Sequence, residues 1–154
     1  MRVTTKGRYA LRAMTNLAAS FTGKPRPIKV IAAEENISPE FLEQIFFRLK
    51  KAGIIGSVRG PGGGFVLEKD PATITLKDIF IAVDEGLDLT PCTACTDSDG
   101  DDPCDRMDRC LVYSVWQEAS DHIVNYFDSI TLQGILDKNH ERIQKILAGQ
   151  EISA

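Results

Sequence analysis

The chain has 154 residues, of which 43% are hydrophobic. That length and composition suit one compact domain, or one domain with an appendage. No stretch is long and apolar enough to span a membrane, and Thr15 and Asn16 interrupt the apolar core that an N-terminal signal peptide would need. We therefore expect a cytoplasmic protein without a membrane partner.

The net charge of −4 is divided unevenly along the chain. Residues 1–70 carry 12 basic and 6 acidic side chains, a net of +6, whereas residues 71–154 carry 6 and 16, a net of −10. A basic first half is typical of a segment that binds a polyanion. Solvated surface charge would produce the same totals, so charge alone does not decide between the two.

The basic half begins with two predicted helices. Apolar residues recur at helical spacing between Lys6 and Phe21, with Thr5 as the expected N-cap. A short helix follows, with Ile28 and Ile31 on one face.

The third predicted helix has clear signals at both ends. Ser38 is the expected N-cap, Pro39 suits the first helical position, and Gly53 ends the helix. Its apolar stripe comprises Phe41, Leu42, Ile45, Phe46 and Leu49. The opposite face carries Glu40, Glu43, Gln44, Phe47, Arg48 and Lys51.

A glycine-rich hairpin is predicted next. The strands IIGSV (residues 54–58) and FVLEK (residues 65–69) flank RGPGGG, whose four glycines let the backbone approach a ligand closely. A phosphate-binding loop would need Gly-Lys-Ser/Thr before a helix, whereas here a strand follows. Thr75 and Asp78 then form the pattern of a capping box at the start of another helix.

A long helix is predicted from about residue 105 to 129, which corresponds to roughly 37 Å. Its apolar stripe comprises Leu111, Val115, Ala119, Ile123, Phe127 and Ile130. This stripe is longer than an outlying helix of a small domain needs, so we expect it to pair with its copy in a homodimer. Packing against the helix's own domain is the alternative.

The predicted order of helices and hairpin describes a winged helix-turn-helix whose Ser38 helix reads DNA. The fold class is thus mainly α with a small β-hairpin, plus a long dimerisation helix. In a major groove Gln44 can pair with adenine and Glu43 can accept from the cytosine amino group, while Arg59 suits a narrow minor groove. The predicted DNA-binding residues are Arg2, Lys6, Ser38, Glu40, Glu43, Gln44, Arg48, Arg59, Gly60, Gly62 and Gly63.

All four cysteines lie within 19 residues, in the acidic stretch PCTACTDSDGDDPCDRMDRC. Thiols stay reduced in the cytoplasm, so this clustering indicates metal or redox chemistry more than disulfides. Four thiolates satisfy the ligand count of a [2Fe–2S] or [4Fe–4S] cluster, and equally that of a tetrahedral zinc site. The predicted metal ligands are Cys92, Cys95, Cys104 and Cys110.

Other chemistry finds weaker support. The aspartates of DSDGDD match a calcium loop only in part, because Asp102 stands where the turn requires glycine. A solvated acidic loop explains them better. No two residues resemble a nucleophile and its base, so we expect neither enzyme activity nor a small-molecule substrate.

Several segments together resemble the IscR-like iron–sulfur cluster regulators of the Rrf-type winged-helix repressor family. These segments are MRVTTKGRYALRAM, FLEQIFFRLKKAG, SVRGPGGGFVL, AVDEGLD and ITL. The similarity spans roughly residues 1–135. The resemblance implies a homodimer that binds double-stranded operator DNA and carries a cluster in the loop before the dimerisation helix.

The family's three cysteine ligands fall on Cys92, Cys104 and Cys110. The family's histidine ligand, three residues after the last cysteine, corresponds to Tyr113, which leaves Cys95 as the simplest fourth ligand. The resemblance favours a [2Fe–2S] cluster, with [4Fe–4S] as the alternative. The neighbouring aspartates predict a low reduction potential, since negative surroundings stabilise the oxidised form.

We therefore expect a transcription regulator that senses iron–sulfur cluster status, or redox or nitrosative stress. The expected organisation is a DNA-binding domain (1–84), a cysteine-rich loop (85–110), a dimerisation helix with a C-terminal packing segment (111–137) and a polar tail (138–154). The alternatives are a DNA-binding regulator with a structural zinc site and one with a metal-free thiol redox switch.

Overall fold

The computed structural model describes residues 3–93, 104 and 106–148. Two predicted site residues, Arg2 and Cys95, lie outside this part of the chain. The elements are α1 (Thr5–Ala19), α2 (Ile28–Glu35), α3 (Pro39–Lys51), β1 (Ile55–Val58), β2 (Gly64–Leu67), α4 (Leu76–Ala82), α5 (Tyr113–Ser129), α6 (Leu132–Lys138) and α7 (His140–Leu147). Two short 3-10 turns cover Pro91–Thr93 and Met107–Arg109.

Helix α3 begins and ends where the sequence predicts. The Ser38 hydroxyl oxygen accepts a hydrogen bond from Phe41 N at 3.2 Å. At the other end Gly53 has a φ of +68°, which glycine adopts without a steric penalty. Ile54 N then donates to Leu49 O at 3.1 Å, which satisfies one of the last carbonyls of the helix.

The cap predicted for α1 is wrong by one residue. Thr4, and not Thr5, accepts the hydrogen bond from Gly7 N, at 3.3 Å. Two adjacent threonines offer the same capping group, and a tertiary contact distinguishes them. Thr4 N also donates to Glu85 Oε1 at 2.6 Å, and this bond holds Thr4 in the extended conformation of a cap.

Helices α1 to α4 pack around one apolar core, to which β1 and α6 also contribute. The predicted stripe of α3 faces this core, with Phe41 at its partly buried edge. The largest fully buried side chains are Met14, Ile31, Leu42, Ile45, Phe46, Leu49, Ile55, Ile74, Ile79, Val83 and Leu132. Burying each of them contributes about 1.5–3 kcal/mol.

The predicted hairpin is confirmed. Strands β1 and β2 pair antiparallel, with Ile55 opposite Leu67 and Val58 opposite Gly64. The hairpin therefore turns over Arg59–Gly63, and its other end joins the core through the buried side chains of Ile55 and Leu67.

Arg26 ties the hairpin to the helices. Its backbone N and O both pair with Phe65, at 2.9 and 2.8 Å, and its guanidinium contacts both carboxylate oxygens of Glu34 at 2.6 Å. Burial raises the pKa of Glu34, but hydrogen bonds from Asn16 and Arg26 and the charge of Arg26 outweigh it. The pKa of Glu34 consequently lies below its ordinary value.

The capping box of α4 is also confirmed. Asp78 N donates to the Thr75 hydroxyl at 3.1 Å, and Thr75 N donates to Asp78 Oδ2 at 3.0 Å. An isolated antiparallel bridge joins Thr75 to Thr131, the cap of α6. Helices α4 and α6 therefore begin side by side, which brings Leu132 into the core.

The long helix predicted from about residue 105 begins only at Tyr113. Helix α5 has 17 residues, or about 25 Å. The residues before it form a separate 3-10 turn closed by the bond from Arg109 N to Arg106 O at 2.9 Å. Leu111 lies between the two elements and is 96% exposed. The apolar spacing extends to residues before the true start of α5. Such spacing does not show where the backbone hydrogen bonds of a helix begin.

The predicted stripe of α5 divides between two faces. Phe127 of this stripe packs against the core, and its ring lies 5.3 Å from that of Phe80 on α4. Val124, which the predicted stripe did not include, packs there too. For Phe127 the alternative, packing against its own domain, is therefore correct. Exposed apolar residues on or just before α5 are Leu111, Val112, Val115, Trp116 and Tyr126. No helix in the described part of the chain combines the length and hydropathy needed to cross a bilayer.

Candidate nucleic-acid interface and cysteine site

The outer face of α3 is open to solvent. Its exposed side chains are Glu40, Glu43, Gln44, Phe47, Arg48, Lys50 and Lys51. Helix α3 thus presents a mixed polar surface, while its inner stripe anchors it to the core. The predicted division of α3 into an inner and an outer face is confirmed.

Basic side chains beside this face already have partners within the chain. The Arg48 guanidinium contacts the Asp84 carboxylate, and Lys6 Nζ donates to Asp84 O at 3.0 Å. Lys50 Nζ donates to Ser57 Oγ at 2.6 Å, which links α3 to β1. These contacts are exposed, so each adds little stability, but they orient the cations beside α3.

Apart from the Pro61 ring, the tip of the hairpin consists of glycine backbone next to one cation. Gly63 N donates to Gly60 O at 2.9 Å, and Gly62 has a φ of +75°. A Cβ atom on Gly63 would lie 2.3 Å from Val58 O, so this turn has no room for a side chain there. Arg59 is exposed at the start of the turn. We call residues 59–63 the wing tip.

The described cysteines lie on two separate segments. Cys92 and Cys110 are half-buried, Cys104 is exposed, and none of the three forms a disulfide. Within residues 3–93, 104 and 106–148, no three His, Cys, Asp or Glu side chains lie close enough to hold a metal ion. Because Cys95 is outside these residues, the four-cysteine ligand set stays a prediction. Its thiolate donors suit iron–sulfur clusters and zinc alike.

A buried polar contact fastens the Cys92 turn to α5. Ser120, only 3% exposed, accepts from Leu89 N at 3.3 Å and lies 3.1 Å from the Thr93 hydroxyl. The Thr93 hydroxyl donates to Thr90 O at 3.0 Å, so the proton between the two hydroxyls comes from Ser120. The Thr90 hydroxyl lies 3.2 Å from Cys92 Sγ. We call Leu89, Thr90, Thr93 and Ser120 the Ser120 tie.

Cys110 has a basic neighbourhood. Arg106, Arg109 and Leu111 line one open cleft together with Cys110. Tyr113, at the position of the family's histidine, donates its hydroxyl hydrogen bond to Gln117 Oε1 at 3.1 Å along α5. Helix α5 starts three residues after this cysteine, and Tyr113 N donates to Cys110 O at 3.2 Å.

A buried carboxylate connects the end of α4 to the start of α1. Glu85 is 5% exposed and accepts from both the backbone N and the hydroxyl of Thr4. A Cβ atom on Gly7 would lie 2.7 Å from Glu85 Cδ, so glycine is required for this approach.

Sequence reasoning missed both Glu85 and the Ser120 tie. The available signals were a carboxylate between apolar residues, in AVDEGLD, and a serine on the core-facing side of an amphipathic helix. Neither signal indicates which residue the polar group bonds to.

Comparison with known proteins identifies the family. A family model described as "Rrf2: Iron-dependent Transcriptional regulator" matches residues 3–138. The chain belongs to the Rrf2 family of transcriptional regulators.

Two curated Rrf2-type relatives are named HTH-type transcriptional regulator IscR. The protein of Photorhabdus laumondii is 38% identical over 151 residues, covering 98% of this chain and 87% of the relative. The protein of Escherichia coli O1:K1 is 41% identical over 141 residues, covering 92% and 83%.

Two solved structures have the same fold. The structure of T. potens IscR matches with a TM-score of 0.71 at 30% identity, covering 100% of this chain and 94% of that one. The structure of CymR, described as the global cysteine regulator of B. subtilis, matches with a TM-score of 0.69 at 30% identity, covering 90% and 98%.

This Rrf2-family chain is therefore an IscR-type, DNA-binding transcriptional regulator with a winged-helix fold. The predicted resemblance is confirmed, and so is the mainly α, winged-helix fold with its small β-hairpin. The dimerisation role of the long helix stays a prediction. Its relatives are named as regulators of transcription, a non-enzymatic role, and on that ground the prediction of no enzyme activity holds.

Replacing Ser120 by alanine should destabilise the fold, because Leu89 N and the Thr93 hydroxyl would lose their buried partner. We expect a loss of about 1–3 kcal/mol in the free energy of unfolding, measured with urea. The matched control is Ser114→Ala on the exposed side of α5, expected to change stability by less than about 0.5 kcal/mol. Equal effects of the two changes would contradict a structural role for the tie.

Proposed function

We propose that this protein is a homodimer that binds double-stranded operator DNA in the cytoplasm and responds to an iron–sulfur cluster held by its cysteines. The signal is cluster status itself, or redox or nitrosative stress acting on the cluster. The observation that carries the proposal is the segment 84–93, which contacts the DNA-reading helices at one end and α5 at the other. The iron-dependent description of the family supports it.

The exposed face of α3 supports docking in a major groove, where Glu43 and Gln44 would meet base edges. The wing tip would enter the adjacent minor groove, since its bare backbone allows close approach and Arg59 suits the negative potential there. Ser38, Glu40, Arg48, Lys6 and Arg2 complete the proposed contact set. Two-fold symmetry predicts operator half-sites about 34–36 Å apart, or a multiple of that distance.

The unpaired apolar side of α5 supports the homodimer. Val115, 56% exposed, shares this side with Tyr126, while Ser120 and Phe127 occupy the side that faces the core. Trp116, one helical turn before Ser120, lies at the border between the two sides. Packing two copies of this side together would remove the apolar surface from water. Leu111 and Val112 would extend the contact toward the cysteine loop.

The number and type of donors support a cluster on Cys92, Cys95, Cys104 and Cys110, with [2Fe–2S] favoured over [4Fe–4S]. A bound cluster would supply the loop with a charge that depends on iron and on redox state. Arg106 and Arg109 lie beside Cys110 and would offset part of the surrounding negative charge.

The contacts of the 84–93 segment support a route from the cysteines to the DNA-reading surface. Asp84 holds Arg48 of α3, and Glu85 holds the start of α1. Thr93 and Leu89 hold α5 through Ser120. A change in order at the cysteine loop would therefore reach α1, α3 and α5 through polar links, and would tilt the two DNA-binding heads of a dimer relative to each other.

Replacing Arg59 by alanine should weaken operator binding roughly tenfold, about 1.4 kcal/mol, because the wing tip would lose its only cation. The slope of log affinity against log salt should fall by about 2, one for each of the two Arg59 side chains of a dimer. Fluorescence anisotropy at several salt concentrations measures both. Lys69→Ala, at the opposite end of the hairpin from the tip, is the control. Unchanged affinity for Arg59→Ala at physiological salt would remove the wing from the interface.

Replacing Val115 by glutamate should convert the dimer to a monomer, because pairing would bury two unpaired carboxylates at a cost of several kcal/mol. Sedimentation velocity measures the change. Asn125→Glu adds the same charge to the exposed polar side of α5 and should leave the dimer intact. A wild-type protein that sediments as a monomer at micromolar concentration would refute the homodimer.

Protein purified without oxygen should absorb visible light and contain iron and acid-labile sulfide. Each single Cys→Ser change at the four positions should lower the iron content, and removing the cluster should change operator affinity at fixed salt. A full spectrum for Cys95→Ser would show that Cys95 is not a ligand. Colourless protein with stoichiometric zinc would show a structural zinc site in place of the sensor. Equal operator affinity of the protein with and without its cluster would exclude the switch.

A further inference from the structure

Phe47 is a large apolar side chain in a place where the fold does not use it. It lies in the middle of α3 and is 71% exposed, whereas its neighbour Phe46 is fully buried in the core. Exposing a phenyl ring to water forgoes the stabilisation that burial gives. The isolated protein gains little from this exposure, and the ring is free to contact a bound partner.

The position of Phe47 relates it to the proposed base-reading residues. In an α-helix, residues three and four apart are neighbours on one face. Phe47 follows Gln44 by three residues and Glu43 by four. The three exposed side chains therefore form one continuous patch, with Phe47 one helical turn farther along α3.

Arg48 and Lys50, which flank Phe47 on α3, contact other elements of the chain. Arg48 contacts Asp84 and Lys50 donates to Ser57, so both are drawn toward other elements of the chain. Phe47 shares the face between them with Glu43, Gln44 and Lys51, and it is the apolar member of that set. A ring has no hydrogen-bonding group, so it cannot read the donor and acceptor atoms of a base pair.

The major groove offers one apolar group, the C5-methyl of thymine, and phenylalanine is among the side chains that contact it. We propose that Phe47 is a specificity-determining residue that packs on a thymine methyl in each operator half-site. The inference deepens the proposed function and rests on the docking of α3 in the major groove. Against a C·G pair the same ring would cover the cytosine amino group and leave it unpaired.

The test uses duplexes that wild-type protein selects from a randomised pool, so the natural operator need not be identified first. Thymines common to both half-sites are then replaced, one position at a time, by deoxyuridine, which lacks only the methyl. At one position wild-type affinity should fall about fourfold per half-site, equivalent to about 0.8 kcal/mol for one buried carbon. Replacement in both half-sites should cost about fifteenfold.

The variants locate the effect on Phe47. Phe47→Ala should bind thymine and deoxyuridine duplexes equally, and Phe47→Leu should retain part of the discrimination. Phe21→Ala, an exposed phenylalanine beyond the end of α1, should discriminate as wild type does. Phe47 is exposed, so these changes should leave the unfolding free energy of the protein unchanged.

The outcomes separate this inference from the proposed function. Selected duplexes that bind equally well with thymine or deoxyuridine at every position would overturn the role of Phe47 and leave DNA recognition by α3 standing. Phe47→Ala that still discriminates by the methyl would also overturn it. If no duplex were enriched, the proposed docking itself would fail.

Discussion

The burial of the Glu85 carboxylate at the start of α1 is the interaction on which the arrangement of the molecule depends. A carboxylate 5% exposed is costly unless hydrogen bonds replace its water, and Thr4 supplies two. The N-terminus of α1 adds a favourable dipole. Gly7 leaves the space that the side chain occupies. The chain leaving α4 is thereby held against the first helix before it continues toward the cysteines.

The contacts through which a cysteine-based signal could act on the helices lie next to Glu85 or in the chain that follows it. Asp84, beside it, holds Arg48 of α3, and the chain that follows ends in the turn fastened to α5 by Ser120. Hydrogen bonds and ion pairs of this kind depend on direction, so displacing one of the two groups breaks the contact. The proposed switch needs such links, since an apolar contact would tolerate the same displacement. Phe47 lies on the opposite side of α3 from the core, where sequence can vary without affecting this framework.

Features that depend on near neighbours in the chain were predicted correctly. Ser38 and Gly53 bound α3, the strand pair flanks RGPGGG, and Thr75 forms its capping box, all as expected. The predictions were wrong where a local sequence pattern was compatible with two structures. Thr4 and Thr5 were equivalent as caps until Glu85 bonded to one of them, and the apolar spacing before Tyr113 mimicked a helix that the backbone does not form.

The amino-acid sequence by itself determined helices α1 to α4, the hairpin, the exposed face of α3 and the clustering of the four thiols, because caps, periodicity and composition act over a few residues. Only the tertiary structure decided that Phe127 packs into its own core, that Glu85 bonds to a residue 81 positions away, and that Ser120 bonds to one 31 positions away. The partner of a buried polar group is set by which segments the core brings together, and no local pattern encodes that choice.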